Sequence, residues 1–174
     1  MKFFNMYKLI KLSSSDLKQF KKIRLESLLT EKIAFGDDYD QLLKKRDGYW
    51  LKELSNKFKV WYGIYDGLNL IGIGSLKYVK QKKFSHIAHL SGIYVKDEFR
   101  GKGVGRMLFE GRIKEAFNNE KIKKLKLIVN VSQKNAISLY QSCGFKIVGE
   151  MEKEFFVDDE YYNAYLMELV KLSV

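Results

Sequence analysis

Between an apolar stretch at residues 90–95 and an amphipathic helix starting near Gly103 stands Arg100-Gly101-Lys102-Gly103-Val104-Gly105. A glycine-rich turn from strand into helix frees several backbone N–H groups and points them, with the helix dipole, at one spot. That geometry binds phosphate. Arg100, Lys102 and Arg106 add positive charge around the spot. Spacing excludes two common versions of such a turn. A P-loop ends in Gly-Lys-Ser/Thr, and this turn runs Val104-Gly105-Arg106. A dinucleotide-binding turn has its third glycine where Arg106 stands, inside a βαβ unit that opens the domain. Here the turn comes late, after antiparallel-looking strands. What remains is Arg-x-x-Gly-x-Gly, set against the plainer reading of a glycine-rich surface turn flanked by basic residues.

The surrounding pattern predicts one domain over residues 1–174. A strand at 6–12 precedes a helix that Ser13-Ser14-Ser15-Asp16 caps and that ends near Thr30. Leu17, Phe20, Ile23, Leu25 and Leu28 form its apolar side. A second helix covers 39–55. Strands at 60–65 and 70–78 flank Asp66-Gly67-Leu68-Asn69 as a hairpin, and the next strand is 87–95. After the glycine turn come a helix at 103–118, a strand at 125–131 and a short helix at 135–143 that Gly144 ends. Strands at 146–156 and 161–172 close over Val157-Asp158-Asp159-Glu160. The order β-α-α-β-β-β-α-β-α-β-β describes an α/β fold, a mixed and mostly antiparallel sheet flanked by helices.

Composition narrows the class. Of the 174 residues 46% are apolar, enough for a sizeable core. No apolar run approaches the roughly 20 residues of a membrane helix, and the lysine-interrupted start does not read as a secretory signal. The lone cysteine, Cys143, excludes an internal disulfide and a cysteine metal cluster. His86 and His89 share one strand without acidic residues at metal spacing, so no metal is expected. The expected location is cytoplasmic. A net charge of +11 attracts phosphates of every kind, but the lysines are scattered over 44–46, 80–83 and 121–126. They read as solvated faces, which argues against a specific nucleic-acid or membrane partner.

The element order and three segments together resemble the GNAT N-acetyltransferase family. The first segment is Gly92-Ile93-Tyr94-Val95-Lys96-Asp97-Glu98-Phe99-Arg100-Gly101-Lys102-Gly103-Val104-Gly105. The second is Asn130, Asn135-Ala136-Ile137-Ser138-Leu139-Tyr140 and Gly144-Phe145; the third is the tail from Tyr161 to Met167. Ala34-Phe35-Gly36 is similar to a stretch found in one broad subgroup. The resemblance implies acetyl-CoA as acyl donor and direct transfer to a primary amine of a small molecule or protein, with no acetyl-enzyme. A non-catalytic acyl-CoA-binding regulator of the same fold is the alternative.

The resemblance also assigns residues. Ile93, Tyr94 and Val95 would run beside the pantetheine arm, with Ile93 and Val95 offering backbone groups. Arg100, Gly101, Lys102, Gly103, Val104, Gly105 and Arg106 would hold the pyrophosphate. Asn130 belongs to the second cofactor segment, and Asn135 would fix pantetheine or cap its helix. Tyr140 would face the thioester sulfur as acid. Gly92 reads as a bulge that splays this strand from the next, or as a simple bend. Some family members carry a glutamate base where this chain has Leu127-Ile128-Val129. His89 is the base candidate here, or else a histidine on the outer sheet face, and Glu154 and Tyr165 could also reach an acceptor. Asp37, Asp38, Asp40, Asp158, Asp159 and Glu160 would attract a cationic amine or simply form turns. The tail aromatics suit core packing, an acceptor pocket or a homodimer contact.

Overall fold

The computed structural model describes residues 7–172. Met6, the first residue of the expected opening strand, lies outside them. A seven-stranded sheet runs in the order β1-β2-β3-β4-β5-β7-β6. Its strands are β1 (Tyr7–Lys11), β2 (Lys59–Asp66), β3 (Asn69–Tyr78), β4 (Ile87–Val95), β5 (Lys124–Asn130), β6 (Lys146–Val157) and β7 (Glu160–Val170). Neighbours are antiparallel except β4 and β5, which are parallel. The expected mixed, mostly antiparallel sheet is therefore what forms.

Helices cover both faces. On one lie α1 (Leu17–Thr30), α2 (Tyr39–Leu43) and α3 (Asp47–Leu54); on the other, α4 (Val104–Asn118) and α5 (Lys134–Ser142). The alternation of β2 explains this division. Val60, Tyr62 and Ile64 point into the α4–α5 core, while Trp61 points into the α1–α3 core. The single helix expected over 39–55 is instead α2 and α3, separated at Lys44–Arg46, where Arg46 is extended. Leu42 and Trp50, one on each helix, both reach the α1–α3 core, where they are 7% and 1% exposed. The Trp50 indole N–H donates to the freed Lys45 carbonyl at 3.3 Å.

Turn chemistry is local and legible. At the β6–β7 turn Asp158 and Asp159 have φ of 50° and 62°, the pair of positive angles a two-residue hairpin needs. Gly144 follows α5 with φ 91°, as expected of a helix stop.

Candidate active site

The site begins with a misfit in register. Ser75 pairs with Ser91 and Ile73 with Tyr94, so Gly92 and Ile93 together oppose Gly74. Gly92 has φ 64°, and a Cβ there would stand 2.9 Å from the Trp61 ring. The bulge expected at Gly92 is present, and both its angle and its packing require glycine. On its other side β4 pairs with β5 only from Ile87 to His89. Beyond His89 the parallel strands diverge, leaving a V-shaped cleft of about 820 Å³ between them. That size suits a small-molecule site.

The glycine turn lies at one end of this cleft. Gly103 caps α4 with φ 81° and Gly101 has φ 72°. Neither would meet anything within 4 Å if it carried a Cβ, so both face open space. The N–H groups of Gly101, Lys102, Gly103, Val104 and Gly105 have no backbone carbonyl partner among the described residues. They form a set of free donors at a helix N-terminus. The three cations take different places. Arg100 turns inward, donating to the Val95 carbonyl at 3.0 Å and to Glu31 at 2.7 Å, so it braces the turn. Arg106 is tied to Glu110 and Ser142, and Lys102 lies over the Phe99 ring. Arg100, Gly101 and Gly105 line the cleft, whereas Val104 is 1% exposed and belongs to the core.

Two groups from opposite sheet faces line the cleft. Tyr140, from α5, is 5% exposed and stacks on Phe109 at 4.5 Å. Its hydroxyl has no hydrogen-bond partner among the described residues, and burial pushes it up to about 12. It is a protonated donor at neutral pH. His89 stands on the other face, between Lys77 of β3 and Lys126 of β5 in register. Half-buried, it is held below its ordinary value, first by burial and then by the two lysines. It is therefore a neutral imidazole able to accept a proton. Among the described residues no three His, Cys, Asp or Glu side chains are grouped to hold a metal.

Asn130 and Asn135 line the same cleft. Asn130 is 2% exposed; its Oδ1 accepts from the N–H and hydroxyl of Ser132, while its Nδ2 is buried with no partner. A buried unpaired donor costs about 1–3 kcal/mol unless something completes it. Together with the free N–H cradle and the unpaired β4 edge, it makes these residues fit an acyl-CoA. Asn135 does not cap its helix, because α5 starts one residue earlier with Gln133 at the cap.

The family follows from a direct match. Over residues 21–145 the chain fits the model of the Acetyltransferase (GNAT) family. It belongs to the GNAT acetyltransferase family. L-amino acid N-acetyltransferase AaaT of Escherichia coli (strain K12) is 28% identical over 127 residues, covering 72% of this chain and 77% of that protein. Spermidine N(1)-acetyltransferase of the same strain is 33% identical over 75 residues, 43% of this chain and 40% of its own length. The matched region thus spans less than half of the spermidine enzyme. Ribosomal-protein-S5-alanine acetyltransferase from Vibrio fischeri superposes with a TM-score of 0.82 at 16% identity, over 96% of this chain and 94% of that one. At such identity the likeness is one of fold.

Other residues of this GNAT chain fall into place around the cleft. Ala34, Phe35 and Gly36 all line it, as do Glu154 and Phe155, which hang from an irregular stretch of β6 between Met151 and Phe155. Tyr165 packs against the α4–α5 core. Asp38 caps α2 and Asp158 and Asp159 form a turn, so the turn reading describes these three. Asp37 differs, since it lines the cleft and pairs with Arg24. Phe156 and Tyr161 are 60% and 61% exposed and pack together at the hairpin tip. Sequence reasoning missed Arg24, Trp61, Lys77 and Arg112. For the two arginines a signal existed, because each interrupts the apolar stripe of its helix.

Proposed function

We propose that the protein transfers an acetyl group from acetyl-CoA directly to the primary amine of a small molecule or protein. The observation that carries this reading is the cleft that Gly101 and Gly105 of the N–H cradle, the open β4 edge and Tyr140 all line. The donor substrate supplies a thioester carbonyl and a thiol leaving group. Gly101 through Gly105 bind its pyrophosphate through backbone N–H groups, and Ile93 and Val95 pair with its pantetheine arm as an added strand would. The amine nitrogen bonds to the carbonyl carbon and the carbon–sulfur bond breaks. The sulfur takes the Tyr140 proton, and the nitrogen gives its proton to His89, directly or through water. No acetyl-enzyme is needed. Cys143 lies outside the cleft beside Arg106 and Glu110, and burial pushes its thiol up, away from a reactive thiolate.

Charge in the acceptor half favours an amine that also carries an anionic group. Asp37 is paired with Arg24, Glu31 with Arg100 and Lys59 with Glu53. Apart from Arg112, which is buried on the α4–α5 side, this leaves Lys77 and Glu154 among the described residues as cleft-lining charges without an ion pair. One cation and one anion suit a zwitterion such as an amino acid better than a polyamine, which needs several carboxylates.

The test is release of free CoA thiol from acetyl-CoA with a panel of L-amino acids, spermidine and short peptides. Turnover favouring amino acids, and lost in Tyr140→Phe, supports the reading. Tight acetyl-CoA binding with no turnover across the panel would replace it with a non-catalytic acyl-CoA-binding regulator.

A further inference from the structure

Arg112 is the least expected residue of the core. It lies on α4 among Val104, Leu108, Phe109 and Ala116, all buried, and is itself 0% exposed. Among the described residues it has no carboxylate partner. A buried guanidinium without a counter-charge is costly, and an apolar residue would complete the stripe with no such cost. The arrangement around it is nevertheless specific. Its Nη1 donates to the carbonyls of both Ser75 and Ser91 at 3.0 Å, and its Nε to the Leu108 carbonyl at 3.2 Å. Ser75 and Ser91 are the paired residues at the edge of the β4 bulge, where a ladder loses its regular partners. Gly74, opposite the bulge, is the second adaptation, since a Cβ there would stand 2.6 Å from the guanidinium carbon. On the far side Arg112 lies over Phe109 at 5.6 Å, and Phe109 stacks on Tyr140. Arg112 is also part of the cleft wall.

The geometry points to Arg112 as a positioning residue for acetyl transfer, one that holds the β4 bulge open and places a buried positive charge against the Phe109 ring on which Tyr140 stacks. It rests on the reading of the cleft as an acetyl-CoA site. Two consequences follow. With the bulge fixed, the strand edge at Ile93 stays clear of β5 and free for a ligand, while the Val95 carbonyl is held by Arg100. With the charge in place, the phenolate left when Tyr140 gives up its proton is stabilised. Burial lowers Arg112 to about 10, so it is still charged at neutral pH, and Tyr140 and Tyr62 favour that charge. The Arg112 charge in turn favours the Tyr140 phenolate against burial, while Glu115 acts on Tyr62.

The experiment uses the full chain as wild type, Arg112→Lys, Arg112→Met and Gly74→Ala, each first checked for cooperative thermal unfolding. Acetyl-CoA affinity is measured by calorimetry. A difluorotyrosine placed at position 140 is titrated by fluorine NMR. Arg112→Met is expected to weaken acetyl-CoA about tenfold, the effect of one lost hydrogen-bonding unit. It should also raise the titration midpoint at position 140 by about one unit, as loss of a nearby opposite charge does. Arg112→Lys should keep the midpoint near that of wild type. Gly74→Ala displaces the guanidinium without removing it and should move both readouts as Arg112→Met does, which covers the case in which the Met variant does not fold. Unchanged affinity and midpoint in a folded Arg112→Met or Gly74→Ala protein overturn the proposal. Weakened affinity with an unmoved midpoint makes Arg112 a strut and overturns its electrostatic part. If wild type itself does not bind acetyl-CoA, the cofactor reading fails first and the proposal falls with it.

Discussion

Arg24 and Arg112 occupy equivalent situations on opposite faces of the sheet. Each interrupts the buried stripe of a helix, and each lines the cleft. Arg24 is neutralised by Asp37 and packed over Phe35 and Trp61. Arg112 has only backbone carbonyls and the Phe109 ring. The difference separates the two halves of the site. The α4–α5 half is built from backbone: N–H groups at the helix start, strand-edge groups at the bulge, and carbonyls gripped by Arg112. The α1–α3 half is built from side-chain pairs. Backbone donors bind a diphosphate whatever the neighbouring side chains are, whereas an ion-paired wall changes its preference with each substitution. The first half therefore fits a fixed ligand and the second a selectable one.

The largest effect expected lies in the first half. Gly103→Glu puts a carboxylate in the turn proposed to hold the diphosphate and a side chain at φ 81°, which costs about 1–2 kcal/mol in strain. Wild type at 100 times the acetyl-CoA dissociation constant should gain about 2.7 kcal/mol. The variant should show no thermal shift with millimolar acetyl-CoA while still unfolding cooperatively. A preserved shift would mean that the glycine turn does not bind the diphosphate.

Next comes Tyr140→Phe. Loss of a positioned acid costs about a hundredfold or more in kcat, and the stack on Phe109 keeps its shape. Acetyl-CoA affinity should stay at the wild-type value. Unchanged kcat would pass the proton to another group or to water.

Arg24→Met tests the other half. Asp37 is half exposed and can be solvated once its partner is gone, so the stability loss should be about 1–2 kcal/mol. The KM for the accepted amine should rise several-fold while acetyl-CoA affinity is unaffected. Calorimetry with acetyl-CoA alone checks the second point, and a loss there would join the two halves into one site.

How much was legible in the sequence follows the same division. Gly92, Gly101 and Gly103 carry positive φ because the backbone demands it, and such a demand leaves glycine in the sequence at that position. The order of elements along the chain and both hairpins were equally readable from β-forming runs and turn residues, whereas the place of β7 between β5 and β6 was not. The acceptor wall was not. Trp61 faces the cleft only because β2 alternates about Val60 and Tyr62, and Lys77 meets His89 only through the β3–β4 register. Contacts of that kind depend on pairing between distant segments. The break between α2 and α3 escaped because residues 39–55 are helix-compatible locally, and nothing in that stretch marks Arg46 as extended. Arg24 and Arg112 were visible as arginines in apolar stripes, but nothing local says whether such a residue finds a carboxylate or a carbonyl.

The smallest effect concerns His89 and runs with pH. Burial, Lys77 and Lys126 hold it below its ordinary value of 6.5. The folded protein therefore binds its proton less readily than the unfolded chain does. The stability this difference gives is present above about 6.5, the ordinary histidine value, and is lost as pH falls toward and through the lowered folded value. His89→Gln should flatten that part of the stability curve. If neutral His89 accepts the amine proton, kcat/KM should fall on the same acid side, below the ordinary histidine value. Lys77→Met removes one of the two flanking charges and should move this limb toward higher pH, with proton NMR of His89 following it. A limb that shifts with His89 ties the base to the Lys77 side of the cleft. A limb that survives His89→Gln assigns the proton to water or to Glu154, across the cleft on β6.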